Sequence, residues 1–233
     1  MVHDAPLGVR ERWLAGRREA VVATYDDLAG TYDDGYDPAT EVHRRFVAQL
    51  IETVPPEGAI LDAACGTAPY AGMVLGAGLR YVGVDQSGGM LRRAAEKWPD
   101  GDFEHVGLQE LAFEAAFDAA MCIDAMEHVP PEDWPTVLER IRRAVLPAGS
   151  VYFTVERSDR AEIATAFEGA EGTGTPIVLG EVIDGDVAGY HFYPTQEQLT
   201  GWLADAGLEV IDEADEWLDG YGYHHLLTRT PPA

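Results

Sequence analysis

Two carboxylates, each closing an apolar run, are the groups in this chain best placed to hold a small polar ligand. Ile60-Leu61-Asp62-Ala63-Ala64-Cys65-Gly66-Thr67-Ala68-Pro69-Tyr70 passes from apolar residues through an acid into small residues. Small residues let a backbone approach a ligand closely, and a helix starting beyond them presents free N–H groups. Tyr81-Val82-Gly83-Val84-Asp85 ends on a second acid, 23 residues after the first. A carboxylate there can accept hydrogen bonds from both hydroxyls of a ribose. Either acid alone reads as a cap or a turn residue. The pair, at this spacing, reads as a nucleotide site. A dinucleotide fingerprint requires G-x-G-x-x-G, which Ala64-Cys65-Gly66-Thr67-Ala68-Pro69 does not supply.

A second set of residues could handle protons. His128 follows an apolar run, Phe117–Ile123, and an imidazole with an ordinary pKa of about 6.5 suits proton removal near neutrality. It reads equally as a residue that packs or caps the loop before Pro130-Pro131. Gly189-Tyr190-His191-Phe192-Tyr193-Pro194 is rich in rings for a surface arm. Strand alternation would bury one pair, Tyr190 with Phe192 or His191 with Tyr193, and free the other. The free pair could wall a pocket for an apolar or cationic molecule. Tyr221, Tyr223, His224 and His225 read as packing and edge residues, as do the five tryptophans on their helices. Cys65 and Cys122 stand outside any CxxC or Cys/His spacing, so they read as buried thiols and no metal site is expected from them.

Alternating elements must position these groups. Helices are expected over 10–30 and 40–53, the second stopping before Pro55-Pro56. Strands are expected at Ala59–Ala63, Arg80–Asp85, Asp102–Val106, Phe117–Ile123 and Ser150–Glu156. Helices over Pro69–Ala77, Gly89–Trp98 and Pro131–Leu146 separate them. Strands alternating with helices imply a mainly parallel, doubly wound α/β sheet. After Glu156 the alternation breaks. A helix is expected at 158–169, then two extended arms, Pro176–Ile183 and Val187–Tyr193, around the turn dipeptide Asp184-Gly185. Helix Gln196–Ala206 and strands Leu208–Asp212 and His224–Thr228 complete the chain. Residues 157–194 read as an insertion in one domain spanning 1–233.

Composition sets the class of partner. The 233 residues carry a formal net charge of −25. That field repels nucleic acid, which needs clustered Lys and Arg on one face. The groups Arg10–Arg12–Arg17–Arg18 and Arg140–Arg142–Arg143 sit beside acids and read as solvated helix faces. The acidity favours a neutral or cationic small substrate, or serves solubility alone. No apolar run approaches the roughly 20 residues needed to span a bilayer, and the N-terminal stretch has no apolar signal core. A cytoplasmic protein, monomer or homo-oligomer, without a membrane or nucleic-acid partner is expected.

Taken together, the motifs resemble the class I S-adenosylmethionine (SAM)-dependent methyltransferases, in their small-molecule branch, best over residues 22–155. Asp62–Ala68 resembles the family's first motif. Val84-Asp85-Gln86-Ser87-Gly88-Gly89-Met90-Leu91 resembles its second strand end, and Gly107-Leu108-Gln109-Glu110-Leu111 takes the place of its adenine-edge loop. Phe117–Val129 resembles the fourth strand, and Leu146-Pro147-Ala148-Gly149-Ser150 the turn before the fifth. The resemblance implies a seven-stranded sheet with its last strand antiparallel, an N-terminal helical lid over 1–55, and a substrate-side insertion at 157–194. It implies SAM as cofactor and a small-molecule acceptor with a nitrogen or oxygen nucleophile. The second reading is a member of the same fold that binds SAM without methylating and acts on an apolar small molecule.

The implied roles fall on individual positions. Asp62 orients the loop and the methionine amine, and Ala64 and Gly66 lie against the methionine part. Asp85 holds the ribose hydroxyls, Gln86 and Met90 flank the adenine, and Leu108 and Gln109 meet its edge. Asp124 lies near the amino end, and Tyr25 and Tyr32 close over the cofactor. His128 is the expected base, with His191 and Tyr193 on the acceptor side. Asp124, Glu127 and His128 also resemble the E-x-x-E-H stretch of quinone-biosynthesis O-methyltransferases, where acids can hold a divalent metal; acids at the cofactor are the reading preferred here. The family's loop carries three glycines, and the alanines at 64 and 68 call for negative φ.

Overall fold

The computed structural model describes residues 8–34, 39–183, 189–218 and 220–232. Two helices come first, α1 (Val9–Leu28) and α2 (Glu41–Glu52). Then β1 (Ala59–Ala63), α3 (Ala71–Gly76), β2 (Arg80–Asp85), α4 (Gly88–Lys97), β3 (Asp102–His105), β4 (Phe117–Cys122), α5 (Trp134–Ala144) and β5 (Val145–Arg157) alternate. Next are α6 (Arg160–Thr173), a hairpin of β6 (Glu181–Ile183) and β7 (Tyr190–Phe192), α7 (Gln196–Ala206), β8 (Glu209–Trp217) and β9 (Gly222–Arg229).

Seven strands form one sheet in the order β3-β2-β1-β4-β5-β9-β8. The first five are parallel, and β9 runs antiparallel to both β5 and β8. The central strands are apolar on both faces because both are covered. Ala59, Leu61 and Ala63 of β1 join Val137, Leu138 and Ile141 of α5, whose buried positions recur at helical spacing. Ile60 faces the other way, onto Phe46, Val47 and Leu50 of α2. The strand order changes direction between β1 and β4, which opens a crevice at the carboxyl ends of the strands.

Three strands extend beyond their sequence limits, β9 by two residues at its start and one at its end, the other two by more. β5 begins at Val145 rather than Ser150 because its register on β4 shifts between Phe117 and Ala119. The expected turn is therefore an irregularity inside a strand. Gly149 is required there, since a Cβ would meet the Asp118 carbonyl at 2.4 Å. β8 runs to Trp217, through Asp212-Glu213-Ala214-Asp215-Glu216. An edge strand is held by backbone pairing and has little apolar pattern to display.

The β6–β7 pair forms its own two-stranded sheet, and the expected Asp184-Gly185 turn lies outside the described residues. It is tied to α1 by a buried carboxylate. Glu181 accepts from both Arg10 terminal nitrogens (2.7 and 2.9 Å), from the Tyr190 hydroxyl (2.5 Å) and from the Val178 amide (2.6 Å). Arg10 also pairs with Glu132. This corrects the expectation of a solvated arginine face at the start of α1: a planar fork matches a carboxylate with two parallel bonds, and burial of Glu181 demands such a partner.

Candidate active site

The carboxyl ends of β1, β2 and β4 and the segments over them enclose a cavity of about 370 Å³. Beyond Ala63 the chain reverses tightly. The Cys65 amide donates to the Val84 carbonyl (2.9 Å) and the Ala68 amide to the Cys65 carbonyl (2.8 Å). These bonds hold the loop against β2 and place Ala64, Gly66 and Ala68 at φ +62°, +53° and +57°. The negative φ expected at the two alanines is therefore wrong; the turn imposes left-handed backbone on residues that carry a Cβ. At Gly66 a Cβ would meet nothing within 4 Å, so the loop backbone faces open space.

Asp85, at the tip of β2, accepts from the Gly66 amide at Oδ2 (2.9 Å) and the Ser87 amide at Oδ1 (2.8 Å). Burial raises its pKa against the pull of those amides. Asp62 is more deeply enclosed. It accepts from the Tyr81 hydroxyl (2.6 Å), and burial pushes its pKa up to about 7. Gln86, Met90, Leu108 and Gln109 line the same end of the cavity. The Gln109 side-chain amide donates to Asp133 (3.3 Å), and Met90 is buried.

The end of α1 and the turn after it cover this half. Tyr25 and Tyr32 line the cavity with ring centroids 6.2 Å apart. Two acids between and beside them pin the cover. Asp26 accepts from the Ser87 hydroxyl and the Gly89 amide, both at 2.6 Å, at the first turn of α4. Gly89 has no room for a Cβ, which would lie 2.9 Å from the Asp26 Cα. Asp33 accepts from the Thr67 hydroxyl (2.7 Å) and pairs with Lys97 (3.0 Å) and Arg93 (3.3 Å).

Rings and buried acids wall the other half. Asp124, at φ +50° just past β4, accepts from the Thr154 hydroxyl (3.0 Å) and contacts His43 Nε2 (3.1 Å). His128 Nδ1 lies 3.1 Å from the Tyr190 carbonyl and Nε2 lies 3.0 Å from the Tyr25 hydroxyl. A carbonyl can only accept, so Nδ1 carries the hydrogen and Nε2 accepts from Tyr25. Burial pushes the His128 pKa down to about 4, so the ring is neutral at physiological pH. His191 contacts the buried Glu156 (2.5 Å) and stands edge-on to His128, centroids 5.2 Å apart. Glu127 is buried, and its Oε2 has no hydrogen-bond partner among the described residues. Burial, then the nearby Glu156 and Asp124, push its pKa well above the ordinary range.

The structure brings Tyr25, Tyr32, Asp62, Ala64, Gly66, Asp85, Gln86, Met90, Leu108, Gln109, Asp124, His128 and His191 to this one cavity. Tyr193 is not on its wall. Tyr190 and Phe192 form the buried pair of β7, and Tyr193 follows that strand with its hydroxyl 3.4 Å from His191 Nδ1. Tyr221 and Tyr223 also line the cavity, in addition to the edge roles expected of them, as do Arg17, Arg18 and Glu156. A carboxylate at the end of a strand, the signal that marked Asp85, is present at Glu156. Nothing local marks the arginines, which reach the cavity only through the path of α1.

Residues 60–149 match the family described as a methyltransferase domain. A demethylmenaquinone methyltransferase of Renibacterium salmoninarum is 29% identical over 83% of this chain and 86% of its own. A ubiquinone biosynthesis O-methyltransferase of Xanthomonas axonopodis pv. citri is 27% identical over 79% of this chain and 78% of its own. Among solved structures, the 1,6-didemethyltoxoflavin-N1-methyltransferase of Burkholderia thailandensis, with its substrate and S-adenosylhomocysteine bound, superposes with a TM-score of 0.70. It is 22% identical, covering 98% of this chain and 93% of that one.

Proposed function

Because the chain belongs to the class I SAM-dependent methyltransferases and moves a methyl group from SAM to a small molecule, we propose that its acceptor is a flat conjugated ring bearing an acidic O–H or N–H. The observation that carries this reading is the composition of the acceptor half: aromatic and imidazole rings around a buried carboxyl oxygen, Glu127 Oε2, that has no partner. Tyrosine and histidine faces pack well against a conjugated ring. An unpaired buried oxygen is costly, and a ring O–H or N–H would satisfy it. Two relatives are named for demethylmenaquinone and for ubiquinone biosynthesis, and the structural neighbour holds 1,6-didemethyltoxoflavin. All three names point to ring acceptors.

The donor half fits the cofactor. Loop backbone is open at Gly66, and the Asp85 carboxylate borders the cavity at the neighbouring strand tip. When bound, SAM supplies an electrophilic methyl group on sulfur. Asp85 holds the ribose hydroxyls, each of its oxygens keeping an acceptor site beside its amide bond. Asp62 orients the loop and the methionine amine, Ala64 and Gly66 lie along the methionine part, and Asp124 stands at its amino end. Gln86 and Met90 flank the adenine, Leu108 and Gln109 meet its edge, and Tyr25 and Tyr32 exclude water from the reacting atoms. Residues 1–55 act as a cover and 157–194 as a substrate-side insertion.

Proton transfer runs through Tyr25. Its hydroxyl donates to His128 Nε2 and can take the acceptor's proton as it gives its own. Burial raises the Tyr25 pKa far above that of a free phenol, so the hydroxyl stays protonated between turnovers. Glu156 holds His191 in place as a carboxylate orients an imidazole in other enzymes.

The test is a labelled-methyl assay with phenols and ring N–H heterocycles beside aliphatic amines and carboxylic acids of similar size. Label is expected in the ring compounds, and transfer confined to aliphatic acceptors would reject the acceptor class. Cofactor binding with no labelled product from any extract of small metabolites would favour the non-methylating reading. Tyr25→Phe and His128→Ala are expected to lower kcat by about 10²–10⁴-fold with cofactor affinity little changed. Unchanged turnover would return both residues to packing.

A further inference from the structure

Behind Asp124, on the side away from the cavity, His43 of α2, Glu216 of β8 and His225 of β9 converge. They are the one group of three His, Cys, Asp or Glu residues among the described residues whose ligand atoms all lie within 4.8 Å of one another. None of the three lines the cavity. Both imidazoles are fully buried, their centroids 4.6 Å apart and their planes nearly perpendicular.

The hydrogen bonds leave this cluster short of protons. His43 Nε2 faces Asp124 Oδ1 at 3.1 Å; a carboxylate accepts, so this nitrogen carries the hydrogen and Nδ1 is left with its lone pair. Nδ1 points toward Glu216 Oε2 (4.0 Å) and the Thr40 hydroxyl (2.8 Å). Thr40 has one hydrogen for two electron-rich neighbours, His43 Nδ1 and Glu216 Oε2 (2.7 Å). His225 Nδ1 is engaged by the Tyr152 hydroxyl (2.8 Å). Its Nε2 lies 3.5 Å from Glu216 Oε2 and has no hydrogen-bond partner among the described residues. With a hydrogen, Nε2 would have the Glu216 carboxylate only at 3.5 Å, outside a well-formed hydrogen bond; without one, its lone pair faces that carboxylate. Either state is costly unless a cation stands between them.

We propose that His43 Nδ1, Glu216 Oε2 and His225 Nε2 bind a divalent transition-metal ion of the zinc class. Two imidazoles and one carboxylate are an established donor set for such ions. Ligands about 2.1 Å from a tetrahedral centre stand about 3.4 Å apart. The His225–Glu216 separation of 3.5 Å already meets that edge, and the His43–Glu216 separation of 4.0 Å needs only a small contraction. The outer partners are in place too: each imidazole is oriented through its other nitrogen, by Asp124 and by Tyr152, as metal-bound histidines are. Thr40 Oγ1 stands beside two of these ligands, 2.8 Å from His43 Nδ1 and 2.7 Å from Glu216 Oε2. The ion would join α2 to the β8–β9 edge and, through Asp124, support the wall of the cavity from behind.

Untagged protein is treated with chelator, then titrated calorimetrically with zinc chloride alone and, separately, with cobalt(II) chloride while the visible spectrum is followed. One equivalent is expected to bind, with a cobalt band typical of four or five nitrogen and oxygen ligands and a rise in melting temperature. Glu216→Gln, at a partly exposed side chain, is expected to weaken zinc more than tenfold and abolish the cobalt band. His225→Phe, which keeps the ring stacked on Phe46, is expected to do the same. If that variant does not fold, Glu216→Gln alone decides. Failure of the wild type to take up either ion, or uptake unchanged in Glu216→Gln, would overturn the assignment. None of these readouts requires turnover.

Discussion

Asp62, Glu127 and His128 line one cavity, and burial moves each toward its neutral form. The consequences for stability run in opposite directions. Asp62 has its pKa raised from 3.8 to about 7, so its contribution to folding is complete below 3.8 and is lost as pH rises through 7. His128 has its pKa lowered from 6.5 to about 4; its contribution is complete above 6.5 and is lost as pH falls through 4. Asp62→Asn removes the first titration and leaves an oxygen to accept from Tyr81. The wild type should therefore lose melting temperature relative to this variant between about pH 4 and about pH 7. A difference that stays constant over that range would mean that Asp62 is ionised throughout. At this scale the sequence revealed the residues whose signal is local, such as an acid at a strand tip or a small residue in a turn. It could not reveal His43 and Glu216 as neighbours of His225, because α2 and β8 meet only through the sheet order.

The loop after β1 shows how an element can impose a conformation its residues resist. Ala64 and Ala68 both adopt left-handed backbone. Ala68 is fully buried and loses packing if its methyl is removed, whereas Ala64 is only partly buried. Ala64→Gly should thus raise stability by about 0.5–1 kcal/mol, the reverse of the usual cost of a glycine. Urea denaturation checks this, and a destabilised variant would show that the Ala64 methyl packs more than it strains. Most strands and helices were legible because hydrophobic periodicity reports burial, and the parallel core is buried on both faces. Those that were not, the start of β5 and the far half of β8, are places where backbone pairing continues without an apolar pattern. The glycine at 149 and the acidic run 212–216 look like turns for the same reason.

Across the whole molecule, acids outnumber bases by 41 to 16. Self-repulsion of that size disfavours the compact state and is screened by salt. Adding sodium chloride to a low-salt buffer should raise the melting temperature, and a flat response would show that the charges are spaced beyond each other's reach. The cover over the donor half responds differently at its two anchor points. Asp33 is held by cations, Lys97 and Arg93, which salt weakens. Asp26 instead closes the first turn of α4 from a different helix, beside that turn's own cap, Ser87, which accepts from the Met90 amide. Lifting α1 leaves that turn's hydroxyl and amide bare, and water can take both bonds at once. A cover held by bonds that water can replace would open at small net expense and re-form unaided.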